Sequence, residues 1–271
     1  MLGAIAGDII GSRFEWNNIK TTDFELFAER SRPTDDSVMT CAVAQALLDT
    51  RPAEGEPWDA KALAQAAVER MRELGWAYPR AGYGGRFRNW LIEEEPRPYN
   101  SWGNGSAMRV SPAAWAARSL EEALALSDAV TAVTHNHPEG LKGARATAGV
   151  TWLARTGADK AALRAFAGGY YDFGFTIEEI RPSYKFDVSC QGSLPPALAA
   201  FFEGGDYEDV IRRIVSIGGD CDTTAAIAGA MAEGFFGMPP ALRAEAMARL
   251  PERLAVIVEA FEEAWPARIA A

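Results

Sequence analysis

Two short acidic strings hold the densest chemistry in this chain: Pro33-Thr34-Asp35-Asp36-Ser37 near the start, and Gly218-Gly219-Asp220-Cys221-Asp222-Thr223-Thr224 near the end. Each sets two carboxylates and a hydroxyl within three or four residues, a run of hard oxygen ligands suited to Mg²⁺ or Mn²⁺ rather than to zinc. Four carboxylates exceed the charge of one divalent ion. If the strings meet in the fold, a pair of metals is the natural way to neutralise them, and such a pair orients hydroxyls and activates a water. A plainer use competes, because each string precedes an apolar helical pattern and can cap a helix whose dipole favours acidic residues. A cap needs only one Asp, however, and Gly218-Gly219 removes side chains where something must approach the backbone closely.

Three further strings have chemical potential. The glycines of Asn100-Ser101-Trp102-Gly103-Asn104-Gly105 can expose backbone N–H groups, and the string runs into a predicted helix start near Ser106. An anion can sit on such a loop and helix N-terminus, although a plain turn with a cap reads the same way. His135 and His137 are the two histidines of the chain. With no third histidine or cysteine nearby, hydrogen bonding to a substrate is the better functional reading than zinc ligation. Glu15 lies between Phe14 and Trp16, where burial among rings would raise its pKa and suit it to acid/base work; exposed in a loop, it would stay ordinary. Arg80, Arg86, Arg88, Arg97 and Arg109 gather around the glycine-rich string, either as solvated surface or facing phosphates.

The elements that must position these groups are helices. Apolar periodicity predicts them near 36–49, 59–74, 107–117, 121–134, 139–155, 159–167, 194–203, 206–217, 223–236, 239–248 and 252–264. Strand-like alternation is nearly absent. The expected fold is all-α, a compact single-domain bundle over residues 1–271 with loops gathered on one face. Gly3, Gly7 and Gly11 recur every four residues, which lets a neighbouring helix approach one side of the opening segment. The long irregular stretches at 12–35, 78–106 and 168–193 are where a substrate site is expected.

Composition narrows the class. The 48% hydrophobic content of a 271-residue chain supports a substantial core. A net charge of −10 opposes an extended nucleic-acid or anionic-membrane surface, while leaving a modified nucleobase open as a substrate. No apolar run approaches the roughly 18–20 residues of a membrane span. Leu2 to Ile10 is short, contains Asp8 and lacks a basic leader, so it does not read as a signal peptide. The scattered Cys41, Cys190 and Cys221 suggest a reducing cytoplasm, and a monomer is expected.

Taken in order, the strings resemble the ADP-ribosylglycohydrolase family, which includes dinitrogenase reductase-activating glycohydrolase and the ADP-ribosyl-arginine and ADP-ribosyl-serine hydrolases. The resemblance runs through Gly3-Ala4-Ile5-Ala6-Gly7-Asp8 with Glu15, then Thr34-Asp35-Asp36, then Gly103-Asn104-Gly105 with Met108-Arg109. It continues through Thr134-His135 and Ser193-Leu194-Pro195 to Gly218-Gly219-Asp220-Cys221-Asp222-Thr223. It implies an all-α fold with two Mg²⁺ or Mn²⁺ ions, whose ligands map to Thr34, Asp35, Asp36, Asp220, Asp222 and Thr223. It also implies that Asn100, Ser101, Trp102, Gly103, Asn104 and Gly105 hold the diphosphate and distal ribose of ADP-ribose. His135 falls nearby and Val188 near the adenine. Glu15 matches a mobile acidic residue that closes over the metals in serine-type members.

The implied reaction is hydrolysis of the N- or O-glycosidic bond between ADP-ribose and an acceptor. It passes through an oxocarbenium-like state, with Glu15, Asp35 or Asp36 moving the proton. The chain is short for the family, and Trp102 stands where some relatives have tyrosine, which leaves the acceptor open: arginine, serine, a nucleobase or a small ester. Two readings of other kinds remain beside it. One is a non-catalytic ADP-ribose-binding or structural protein on the same fold, opposed by the presence of all six candidate ligands; the other is a two-metal phosphoesterase.

Overall fold

In the computed structural model, which describes residues 1–266, the stretches of helical periodicity become helices, and the extended pairing among the described residues is one isolated bridge, Gly103 to Ser189. Fifteen helices are described. The first seven are α1 (Leu2–Gly11), α2 (Asp35–Asp49), α3 (Ala60–Ala77), α4 (Gly85–Ile92), α5 (Gly105–Met108), α6 (Ser111–Ala116) and α7 (Leu120–Thr131). The other eight are α8 (Pro138–Arg155), α9 (Lys160–Gly168), α10 (Ile177–Ile180), α11 (Cys190–Glu203), α12 (Tyr207–Val215), α13 (Cys221–Phe236), α14 (Pro240–Arg249) and α15 (Glu252–Ala264).

The glycine row of α1 sets the centre of the molecule. All ten residues of α1 are buried, and the helix lies backbone to backbone on α13. A methyl group at Gly3 would come 2.6 Å from the Gly229 carbonyl oxygen; at Gly7 or Gly11 it would overlap the carbonyls of Ala225 or Cys221. Both helices are apolar nearly all round, as befits central elements. Around this pair α2 packs on α1, α3 and α15, while α8, α11 and α12 cover the other flanks of α13. The result is a single all-α domain in which the N-termini of α2 and α13 open toward the same cleft.

Three local features depart from the periodicity. Residues 107–117 form two helices because Pro112 has no N–H to continue a ladder; the chain breaks at Arg109-Val110 and restarts with Pro112 in the first turn of α6. In the stretch 78–106, α4 forms by burying Phe87, Trp90 and Leu91 on one face, a pattern too short to stand out in sequence. Helix α11 begins at Cys190, with the Ser189 hydroxyl capping Gly192 N–H at 3.1 Å, and carries Pro195 and Pro196 inside it. Pro196 cannot donate to the Gly192 carbonyl, which instead accepts the Tyr184 hydroxyl at 3.0 Å.

Candidate active site

The floor of the cleft is assembled from three helices. Asp8, inside α1, is fully buried and reaches the turn that enters α2. One of its carboxylate oxygens accepts the Thr34 N–H at 2.9 Å, the Ser37 N–H at 3.0 Å and the Ser37 hydroxyl; the other accepts the Thr34 hydroxyl at 2.6 Å. Asp8 thus shares the capping of α2 with Thr34 of the acidic string, and Asp35 and Asp36 face the cleft. Thr34 Oγ1 also accepts the Asp36 N–H at 3.3 Å, so it acts as the N-cap of α2 as well.

The second acidic string arrives through two successive residues in left-handed conformation, Gly218 at φ 71° and Gly219 at φ 81°. Only glycine is comfortable there, and a Cβ at Gly219 would also meet the Tyr184 ring at 2.5 Å. The Asn18 side chain stitches this turn to the Glu15 segment. Its Oδ1 accepts the Gly219 N–H at 2.8 Å, while Nδ2 donates to the carbonyls of Phe14 at 2.7 Å and Glu15 at 2.9 Å.

Oxygens from both strings converge. Asp8, Asp36 and Asp222 each bring a carboxylate oxygen within 4.8 Å of the others, and Glu15, Asp220 and Asp222 form a second such group. Asp222 belongs to both. Asp36 Oδ2 lies 3.3 Å from the hydroxyls of Thr34 and Thr223, which join α2 to α13 across the floor. Asp36 Oδ1 is buried and takes no hydrogen bond. An uncompensated carboxylate oxygen in the interior is costly, and a divalent cation is the partner its hardness and charge call for. The donor set therefore fits metal binding.

Electrostatics agree with this. Burial, then the charges of Asp8, Asp35 and Asp220, hold the Asp36 carboxyl well above the usual range; burial and Asp36 do the same for Asp222. Burial pushes Asp8 up to about 6. Burial and the neighbouring Asp8 charge push Asp35 up to about 7. Burial and the Asp220 charge raise Glu15 to about 7, and burial also raises Asp220. Like charges crowd here without the cations that would let all of them ionise.

Above the floor, the cleft has a volume of about 430 Å³ and is walled by Gly82, Gly84, Gly85, Arg86 and Phe87 on one side and Ser101, Gly103 and Gly105 on another. The loop at 100–105 is anchored, not loose. Asn100 takes a positive φ of 54° and donates its N–H to Asn136 Oδ1 at 2.7 Å; Asn104 N–H donates to the Val188 carbonyl at 2.8 Å, and Cys190 N–H to the Trp102 carbonyl at 3.0 Å. The N–H groups of Ser101 and Gly105 take no partner among the described residues and border the cleft. The Asn104 amide donates to Ser193 Oγ at 2.9 Å and Asp220 Oδ2 at 2.7 Å, so this side chain orients a floor carboxylate.

Of the residues singled out in sequence, Glu15, Asp35, Asp36, Ser101, Gly103, Asn104, Gly105, His135, Asp220, Asp222 and Thr223 line this one cleft. Thr34 stands behind it, engaged with Asp8. Asn100 acts through its backbone, and Trp102 lies outside, 48% exposed and edge-on to His137. Asp35 lines the cleft against Gly82, where a Cβ would meet its Oδ1 at 2.9 Å, and it belongs to neither carboxylate triad. Sequence reasoning gave no role to Asp8, although it stood in the opening glycine motif, and passed over Asn18 and the glycine wall at 82–85. Asp8 did leave a signal: a lone carboxylate in an apolar, glycine-spaced helix has to be satisfied by something specific. Of the arginine group, Arg86 and Arg109 border the cleft, whereas Arg97 is a surface residue paired with Glu95.

The structure is an all-α domain whose carboxylates gather at the N-termini of α2 and α13 beside an anchored glycine loop, a donor set that could hold a cation. The family model described as ADP-ribosylglycohydrolase matches residues 1–268, and the chain belongs to that family, whose members hydrolyse ADP-ribose linkages and are generally metal-dependent. A solved structure titled "ADP-ribosylglycohydrolase-related protein complex" is 24% identical, with 97% of this chain and 95% of that one covered and a TM-score of 0.67. That likeness shows a shared fold. No helix among the described residues is long and apolar enough to cross a membrane.

Proposed function

We propose that this protein releases ADP-ribose from an acceptor by cleaving the N- or O-glycosidic bond at the distal ribose, using two divalent cations, Mg²⁺ or Mn²⁺. The observation that carries the reading is the orphaned Asp36 Oδ1 inside two carboxylate triads that share Asp222. Asp36, Asp220 and Asp222, with Asp8, Asp35, Thr34 and Thr223 beside them, would hold the cations. When bound, the cations supply positive charge that fixes the vicinal hydroxyls of the ribose and favours ionised oxygen at the floor.

The remaining work falls to side chains and backbone. The free N–H groups of Ser101 and Gly105 suit diphosphate oxygens, and His135 adds a donor beside them. Glu15, which lines the cleft beside Asp220 and Asp222, is placed to deliver a proton to the departing acceptor as the anomeric bond breaks. Asp35, which lines the cleft and belongs to neither carboxylate triad, is the second group placed to take a proton from attacking water. Cys41, Cys190 and Cys221 are unpaired and buried, which supports a reducing compartment.

The test is mass-spectrometric detection of free ADP-ribose from arginine-, serine- and nucleobase-linked ADP-ribose, with Mg²⁺ or with EDTA. Metal-dependent release from one substrate is the expected result and names the acceptor. ADP-ribose binding with no release from any substrate would favour a binding protein, and release of phosphate in place of intact ADP-ribose would favour a phosphoesterase.

A further inference from the structure

The geometry points to a positioning pair, which we propose here: Arg109 and Thr134 lock His135 in the tautomer with its proton on Nε2, so that the ring presents a fixed hydrogen-bond donor beside Gly103 and Gly105. Arg109 directly follows α5, is 1% exposed, and sits over the Phe87 ring with its guanidinium carbon 5.6 Å from the centroid. It forms no ion pair with a carboxylate among the described residues, and its Nε has no partner. One terminal nitrogen instead lies 2.6 Å from the Thr134 hydroxyl and 3.3 Å from His135 Nδ1.

Donor arithmetic then leaves one arrangement. A guanidinium can only donate, so the Thr134 oxygen accepts from Arg109. Its own proton must go to another acceptor, and His135 Nδ1 lies 2.7 Å away. A proton on Nδ1 would face the Arg109 N–H and leave the Thr134 proton without an acceptor among the described residues; an unprotonated Nδ1 accepts both. The ring proton therefore resides on Nε2. Burial, then the charges of Arg109 and Arg86, drive the imidazole well below its ordinary pKa, so the ring is neutral; Tyr99, with its ring 5.9 Å away, is the other titratable group against it.

The nitrogen that this leaves toward the loop has no lone pair to offer. Hypothetical Cβ atoms at Gly105 and Gly103 would come within 3.3 Å and 3.5 Å of Nε2, so the two glycines keep open the space through which a ligand oxygen reaches that N–H. His135 consequently donates to an acceptor oxygen and does not remove a proton in catalysis. Naming that oxygen as part of an ADP-ribose diphosphate rests on the proposed function; the tautomer does not.

Long-range ¹H–¹⁵N correlation spectra of ¹⁵N-histidine-labelled protein decide the matter without any turnover. The chain has two histidines, and His137→Asn, which keeps a helix-capping side chain, assigns the signals. The expected spectrum shows His135 protonated on Nε2 alone at pH 7 and still so below the ordinary imidazole value of about 6.5. A ring protonated on Nδ1, or on both nitrogens at pH 7, would overturn the proposal. Thr134→Val is then expected to mix the tautomers and raise KM about tenfold with kcat nearly unchanged, and Thr134→Ser to restore both. A Thr134→Val protein that folds and keeps the wild-type tautomer would overturn it too. Absence of hydrolysis on every substrate would count against the proposed function, while the tautomer read from the spectra would still decide this proposal.

Discussion

The carboxylates at the bottom of the cleft and the aromatic side chains around its mouth face the same space from opposite physical regimes. Asp8, Asp36, Asp220 and Asp222 are all buried and fixed by helices that cannot slide, because α1 and α13 touch through their backbones. At the mouth, Trp16 is 77% exposed and Phe186 43% exposed, and they stack on each other at 5.3 Å from two irregular segments. A site built in this way separates two tasks. The floor tolerates no change of volume, whereas the rim changes at small cost; in the proposed reaction the floor would set the chemistry and the rim would meet the acceptor.

The largest expected effect attacks the floor through its scaffold. Gly7→Val would drive a branched side chain into the Ala225 carbonyl, and neither helix backbone has room to yield. A loss of about 4 kcal/mol or more is expected, seen as insoluble protein or a collapsed melting temperature. Trp16→Ala at the exposed rim should leave the melting temperature within about 2 °C. Equal melting temperatures for the two variants would break the contrast.

Next comes Asp36→Asn, where activity and stability should move in opposite directions. Turnover should fall by about a thousandfold or more, because a floor carboxylate proposed to hold a cation loses its charge. In EDTA at pH 7.5, the same variant should melt several degrees higher than wild type, of the order that about 1–2 kcal/mol produces, because a carboxylate crowded by Asp8, Asp35 and Asp220 is gone. Calorimetry and ADP-ribose release measure the two effects; a variant that melts lower in EDTA would mean that the floor is already satisfied without cations.

The pH dependence follows from the same crowding. Asp8 at about 6 and Asp35 at about 7 have folded-state pKa values above their ordinary 3.8. Such groups contribute stability that is fully present below about pH 4 and is lost as pH rises through 6 to 7. Metal-free protein should therefore melt lower at pH 7.5 than at pH 5. The melting increment from Mg²⁺ or Mn²⁺ should grow over the same interval, since the cation then competes with fewer protons. An increment independent of pH would separate these carboxylates from the cation site.

How far the sequence exposed this division depends on the kind of constraint. The helical class, the glycine face of α1 and the pairing of the two acidic strings were legible, because periodicity and local ligand density are properties of short windows. Helix α4 was not, since Phe87, Trp90 and Leu91 occupy barely two turns. The role of Asp8 was hidden for another reason: its partners Thr34 and Ser37 are remote in sequence, and only the tertiary fold brings them to it. The same holds for Arg109, which read as one of a basic group and proves to be buried behind His135.

The smallest expected effect lies where floor and rim meet. The Trp16 side chain hydrogen-bonds Glu15, a contact that lowers the Glu15 pKa against the stronger upward push of burial and Asp220. Trp16→Phe keeps a ring for stacking on Phe186 and removes that donor, so the Glu15 pKa should rise further. If Glu15 delivers the proton to the departing acceptor, the alkaline limb of the pH–rate profile moves to higher pH, by a few tenths of a unit for one exposed hydrogen bond of about 0.5 kcal/mol. If Glu15 instead takes a proton from water, it is the acidic limb that moves up. A profile unmoved on both limbs would place Glu15 with the rim, shaping access to the cleft, and assign the proton transfers to Asp35.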